Sequence, residues 1–266
     1  MPATHRELLD LAVDVALEAA ELVRERRRGV VDVTATKSSP DDVVTDADRA
    51  VEELIRERLL AARPDDGFLG EEGAARSSAS GVTWVVDPID GTVNFLYGLP
   101  QYAVSVAASR EGEVVAGVVV NVAGGEVFTA TLGGGATCDG RPLRVRDVVP
   151  LERRLVGTGF NYVAATRAVQ AAAVARMLGT VRDVRRMGSA ALDLCALAAG
   201  RLDAYVEEGL HPWDLAAGGL VAREAGARVE SLPGAGGRDC VVSAPEAGFE
   251  EFLDLVRRCG FLAEQA

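Results

Sequence analysis

The stretch that decides the fold is Trp84-Val85-Val86-Asp87-Pro88-Ile89-Asp90-Gly91-Thr92-Val93-Asn94-Phe95. Trp84 to Val86 is a short apolar run of the kind that forms a buried strand. The sequence predicts that this strand ends at Asp87, because Pro88 has no N–H to offer a neighbouring strand. Two carboxylates then stand three residues apart on a proline-stiffened turn, followed by Gly91 and the Thr92 hydroxyl. Acids crowded at a strand end repel one another unless a hard cation lies between them, and Mg²⁺ takes oxygen ligands of this kind. Gly91 lets backbone come close to a ligand, and a helix opening near Thr92 would aim N–H groups at an anion. The stretch therefore reads as a metal site beside a phosphate site.

Taken singly, Asp87-Pro88 and Asp90-Gly91 are ordinary turn signals. The whole string behind a buried strand is more specific. An EF-hand loop opening at Asp87 would close on a Glu twelfth in line, where the sequence has Gly98. Phosphatases that form an aspartyl-phosphate place one residue between their two Asp, whereas Pro88 and Ile89 intervene here.

Working outward, the 266 residues are 48% hydrophobic, enough for one large core or two closely joined ones. Forty acidic against 28 basic residues give a net charge of -12. That argues against a nucleic-acid surface, which needs clustered Lys and Arg, and is compatible with an enzyme that recruits cations. Cys138, Cys195, Cys240 and Cys259 are dispersed without zinc-like spacing, so reduced thiols in a cytosol are expected. The N-terminus has no signal-peptide core and no apolar run is long enough to span a membrane, so the expected location is cytoplasmic.

Upstream of the central stretch, Thr4 and Glu7 fit a capping box, and Leu8, Leu11, Val15, Ala19 and Leu22 share one helical face. Arg26, Arg27 and Arg28 suit the end of that helix, with Gly29 as its stop. A polar loop from Lys37 to Asp42 leads to a second helix, capped by Thr45 and Asp48 and burying Val51, Leu54, Ile55, Leu59 and Ala62. Phe68-Leu69 is a brief strand that delivers Gly70-Glu71-Glu72-Gly73, and residues 74–81 have linker composition.

Downstream, residues 101–109, 113–122 and 126–132 read as an antiparallel meander. Gly133-Gly134-Gly135 is a turn, since no Gly-Lys-Ser/Thr follows. Past residue 152, strands at 155–160, 181–184, 204–206 and 240–243 alternate with helices at 164–178, 189–199, 214–225 and 249–259. Such alternation belongs to a layered α/β arrangement. The expected organisation is an α+β part over residues 1–150 and an α/β part over 151–266, joined in one compact unit. In Glu207-Glu208-Gly209-Leu210-His211-Pro212-Trp213-Asp214, Asp214 opens a helix as a cap, and His211 reads as a packed residue. With only two His in the chain, a His-based metal site is excluded.

Lys37-Ser38-Ser39-Pro40, Val44-Thr45-x-x-Asp48, Gly70-Glu71-Glu72, Asp87-Pro88-Ile89-Asp90-Gly91-Thr92-x-Asn94-Phe95 and Trp213-Asp214 follow one another in an order and spacing that resemble the inositol monophosphatase family. The resemblance runs from Lys37 to about Ala244. It implies the αβαβα layered sandwich of the sugar phosphatases and a Mg²⁺-dependent, Li⁺-inhibited phosphomonoesterase that forms a homodimer. Glu71, Asp87 and the Ile89 carbonyl resemble the ligands of one metal, and Asp87, Asp90 and Asp214 those of a second. Where a third ion binds, Glu71 also serves it. Thr92 with Asp48 resembles the group that orients the attacking water, and the Gly91 and Thr92 amides the phosphate cradle. Glu207 resembles the acid that binds a sugar hydroxyl, Gly188-Ser189-Ala190 the segment lining that pocket, and Lys37 a loop lysine near the metals.

Two positions depart from the family pattern: Tyr97 stands where many members have His, and Ser189 where others have Thr. The implied substrate is inositol monophosphate. Histidinol phosphate, fructose bisphosphate and nucleotide bisphosphates remain alternatives among relatives, and a non-catalytic regulatory protein on the same scaffold is the reading from another class. The apolar run Val114–Val122 adds to the expectation of a homodimer, because it needs a cover.

Overall fold

Thr4 starts α1 (His5–Arg27) with the expected capping box, its hydroxyl accepting from the Glu7 amide while the Glu7 carboxylate accepts from the Thr4 amide. In the computed structural model, which describes residues 3–28, 33–36 and 43–264, an antiparallel pair follows, β1 (Val33–Thr36) and β2 (Val43–Thr45). Gly29 and the Lys37–Asp42 loop lie outside the described residues. Thr45 then caps α2 (Asp46–Ala62) through a second box with Asp48. The buried face of α2 holds Ala47, Val51, Ile55 and Leu59, but Ala62 is exposed, because the helix end runs clear of the sheet into solvent.

The chain next forms β3 (Gly67–Gly70), β4 (Val82–Asp90), a short α3 (Thr92–Tyr97) and the meander β5 (Ala103–Arg110), β6 (Glu113–Asn121) and β7 (Val127–Thr131). Two short strands, β8 (Gly135–Cys138) and β9 (Arg141–Pro142), complete a seven-stranded sheet in sequential order. Only β3 and β4 in it run parallel. Alternation sorts its residues between two cores: Val104, Val106 and Ala108 of β5 face α1 and α2, while Ala103 and Ala107 face the opposite side.

The second half supplies β10 (Leu155–Thr158), α4 (Ala164–Met177), β11 (Asp183–Arg185), α5 (Ala190–Ala198), β12 (Ala204–Glu208) and α6 (Pro212–Glu224). It closes with β13 (Ala227–Pro233), β14 (Asp239–Pro245) and α7 (Phe249–Cys259). The five-stranded sheet has the order β11-β10-β12-β14-β13 and is mixed. Strand β13 was not legible in the sequence, since Arg228 and Glu230 break its apolar pattern and pair with each other on the surface.

Five layers result. Helices α1 and α2 cover one face of the larger sheet, and α5 and α6 fill the space between the sheets. Helices α4 and α7 close the far side. Helix α6 comes so near β6 that a Cβ on Gly117 would stand 3.0 Å from the Ala217 Cα. The Val114–Val122 run is thus covered within the chain by α1 and α6, which removes the packing argument for a partner subunit. All four cysteines are free. Among the described residues no helix is long and apolar enough to cross a membrane.

Candidate active site

Strand β4 does not end at Asp87 as the sequence predicted; it continues to Asp90. Pro88 is accommodated by an irregularity of register, in which Asp87 opposes Ser105 and Asp90 opposes Ala103. Three steps on β4 therefore match two on β5, the mark of a β-bulge. Period-2 alternation alone would point residues three apart to opposite faces, and the extra residue brings both carboxylates to the same side. The Ile89 amide donates to Asp87 Oδ1 at 3.0 Å, fixing that side chain within the bulge.

Gly91 follows with φ of +95°, and a Cβ there would meet the Gln101 carbonyl at 2.8 Å and the Gly188 carbonyl at 3.0 Å. A side chain is excluded on both counts. The turn launches α3, whose first residue Thr92 places its Oγ1 at 3.2 Å from Asp48 Oδ1 and 3.1 Å from the Ile89 carbonyl. Asp48 is fully buried, and its other oxygen accepts from the Thr45 amide and hydroxyl at 2.8 and 2.5 Å. The capping role and the Thr92 contact are thus both present on one carboxylate. Asn94 donates to the Gln101 carbonyl ahead of β5 and ties α3 to the second half through the Met187 carbonyl, each at 2.8 Å.

From the second half, Asp214 enters on the first turn of α6, which opens at Pro212, two residues ahead of the expected start. Its Oδ2 accepts from the His211 amide at 2.7 Å. His211 stacks on Trp213, ring centroids 4.8 Å apart and planes 9° from parallel, but it stays exposed at the cavity rim. It is not the packed residue the sequence suggested, because it caps the start of α6 outside the layers. Carboxylate oxygens of Asp87, Asp90 and Asp214 come within 4.8 Å of one another. Glu71 lines the same cavity from the turn after β3, but outside that tight group. Lys37 lies outside the described residues.

The cavity measures about 380 Å³. Its floor is the acid group with Gly91 and Thr92, and one wall is Gly188-Ser189-Ala190 and Glu207. Ser189 Oγ and the Ala191 amide both donate to Asp90 Oδ2, at 2.5 and 2.7 Å. Glu207 is no solvated strand-end acid: it faces the cavity from β12 and accepts from the Tyr205 hydroxyl at 2.6 Å. Its neighbour Glu208 also belongs to the cavity lining, but its carboxylate is taken up by the Gly236 and Arg238 amides.

Burial dominates the electrostatics. It pushes the Asp90 carboxyl up to about 6 against the hydrogen bonds from Ser189 and Ala191, and Glu207 up to about 7 against the Tyr205 bond. Asp214 is raised by loss of water and then by the charge of Asp90. Asp193, buried behind them on α5, is raised by burial and by Glu207 and Asp90. Arg186, on the cavity wall, draws Asp90 and Glu207 the other way. Sequence reasoning missed Arg186, Asp193 and Tyr205. Only the nearness of Arg186 to Gly188 and of Tyr205 to Glu207 pointed toward them.

An acid group with oxygen donors alone, desolvated and short of counter-charge, suits a hard divalent cation and not a soft metal. Beside it, the glycine-opened turn leaves room for an anion. This combination on an αβαβα sandwich defines a phosphatase. The sequence model described as the inositol monophosphatase family matches residues 4–259. An inositol-1-monophosphatase of Mycobacterium bovis is 48% identical over 94% of this chain and 93% of its own length. The solved structure of Mycobacterium tuberculosis SuhB superposes with a TM-score of 0.85 at 45% identity, covering 98% of this chain and 99% of that one. A protein named Nus factor SuhB from Pseudomonas aeruginosa is 38% identical over 85% of this chain and 86% of its own length. The chain belongs to the inositol monophosphatase family.

Proposed function

We propose that the protein is a Mg²⁺-dependent phosphomonoesterase that hydrolyses inositol monophosphate to inositol and phosphate. The observation that carries this reading is the meeting of Asp87, Asp90 and Asp214 within 4.8 Å at the floor of a cavity that Glu207 also lines. Asp87, Asp90, Asp214, Glu71 and the Ile89 carbonyl would hold two ions, with Glu71 shared by a third. When bound, Mg²⁺ supplies Lewis-acid charge that makes water acidic enough to attack and offsets charge on the leaving oxygen.

The chain's own groups do the positioning. Thr92 donates a hydrogen bond from its hydroxyl to Asp48 or the Ile89 carbonyl, which leaves its lone pairs to accept a hydrogen bond from the attacking water and aim it. The Gly91 and Thr92 amides receive phosphate oxygens. Glu207 accepts hydrogen bonds from ring hydroxyls, and Gly188-Ser189-Ala190 packs beside them. Phosphoryl transfer through a loose transition state asks for this placement and charge, not for a protein nucleophile.

Phosphate release from inositol monophosphate, measured with Mg²⁺, after chelation and after Mg²⁺ is restored, tests the reading. No turnover on this ester or on any in a panel of sugar and nucleotide phosphates would favour a regulatory binding role. The full set of acids at the site favours catalysis. The reading extends to a cytoplasmic, Li⁺-inhibited homodimer, supported by the family and by exposed Tyr97 and Leu99 beside α3. Light scattering that gives a monomer at micromolar concentration rules the dimer out.

A further inference from the structure

Helix α2 carries two buried carboxylates one turn apart, Asp48 and Glu52, 0% and 4% exposed. Residues at i and i+4 share a helix face, and like charges so placed weaken the helix. Their burial must be offset by partners outside it. Asp48 meets Thr92. Glu52 meets the acid turn after β3: its Oε2 accepts the Glu72 amide at 2.7 Å, and the Gly73 amide donates to the same carboxylate.

The glycines flanking the acids fit around this carboxylate. A Cβ on Gly70 would fall on Glu52 Oε2, and one on Gly73 would stand 2.6 Å from Oε1. One turn further along α2, Arg56 donates to the Ala74 carbonyl at 2.6 Å and lays its guanidinium over the Phe68 ring, 4.5 Å from its centroid. Three successive turns of one helix thus grip Thr92, the Glu72-Gly73 backbone and the end of the same turn.

We infer that Glu52 is a positioning residue for the reaction, holding the Glu71-Glu72 turn so that α2 sets the separation between the Glu71 carboxylate and the Thr92 hydroxyl. This rests on the reading of Glu71 as a metal ligand.

The test is calorimetric titration of Mg²⁺ into the full-length protein and its Glu52→Gln and Gly73→Ala variants, with Tm and kcat at saturating Mg²⁺ recorded beside it. Gln keeps the shape of Glu52 but turns an NH₂ toward one of two amide donors. Gly73 has no positive φ, so Ala there acts through its contacts with Glu52 Oε1 at 2.6 Å and, less closely, the Arg56 guanidinium at 3.0 Å. Both variants are expected to stay folded and bind Mg²⁺ about 10- to 100-fold more weakly, with kcat at saturation falling less than the affinity. A folded variant set with unchanged Mg²⁺ affinity overturns the inference, as does a lowered Tm without loss of affinity. If the unaltered protein binds no Mg²⁺, the metal-site reading itself has failed and takes this inference with it.

Discussion

The Ser189 hydroxyl donates to Asp90 Oδ2 over 2.5 Å, joining residues 99 apart in the chain and tying the end of β4 to the start of α5. Ser189 at the same time caps α5, its oxygen accepting from the Leu192 amide at 3.3 Å. Ser189→Ala removes both bonds and leaves a buried carboxylate with one fewer donor. The expected loss is about 1–3 kcal/mol in denaturant unfolding. Ser189→Thr keeps the hydroxyl and should lose little of this. Equal losses in the two variants would assign the effect to packing.

Asp90→Asn is expected to abolish turnover and leave the fold intact. Its stability effect carries a pH signature. The folded carboxyl titrates at about 6, above its ordinary 3.8, so the folded chain binds this proton more tightly than the unfolded chain. Stability of the metal-free protein therefore falls as pH rises through that window and stays lower above it. In EDTA, Asp90→Asn should be more favourable at pH 7.5 than at pH 4.5 by about 1–2 kcal/mol. Melting curves at the two pH values measure this, and undiminished activity in the variant would remove Asp90 from the chemistry.

Glu207→Gln keeps a hydrogen bond but gives up its charge. For inositol monophosphate the expected loss is about 1–2 kcal/mol of transition-state binding, roughly a five- to thirtyfold drop in kcat/KM. A phosphate ester without ring hydroxyls, such as p-nitrophenyl phosphate, should be nearly unaffected. Because burial raises Glu207 to about 7, the advantage of the unaltered protein should shrink as pH falls below that value. Equal losses on both esters would place Glu207 in service of the metal site or the fold.

Thr92→Val removes the hydroxyl between Asp48 and the Ile89 carbonyl with little change in volume. A drop in kcat of roughly 10²–10⁴-fold is expected, the range for a positioned proton-handling group. Thr92→Ser should retain most of the rate. Steady-state kinetics at saturating Mg²⁺ decide it, and a Val variant as fast as Ser would exclude the hydroxyl from orienting water.

Metal removal gives the broadest check. Dialysis against EDTA should stop hydrolysis, and Mg²⁺ alone should restore it. Millimolar Li⁺ added with Mg²⁺ should inhibit. Activity that survives chelation undiminished contradicts the whole site assignment.

The sequence by itself determined what is local. Two capping boxes, the apolar strand before Pro88, the glycine-opened turn at Gly91 and the alternation of strand and helix beyond residue 152 are all set by neighbours within a few positions. The order of the acid motifs carried the family for the same reason, since each is a short string. Tertiary structure decided the rest. Pairing with β5 bulges β4 and turns Asp87 and Asp90 to one side, where proline chemistry alone suggested a strand end. Helices α1 and α6 cover the β6 run that seemed to need a partner. Asp214 joins the acid group, Ser189 reaches Asp90, and Glu52 reaches the Glu71-Glu72 turn only after the layers stack. Such contacts link residues with no periodic relation along the chain, and burial, which sets the carboxyls of Asp90 and Glu207, belongs to the packed whole and not to any segment.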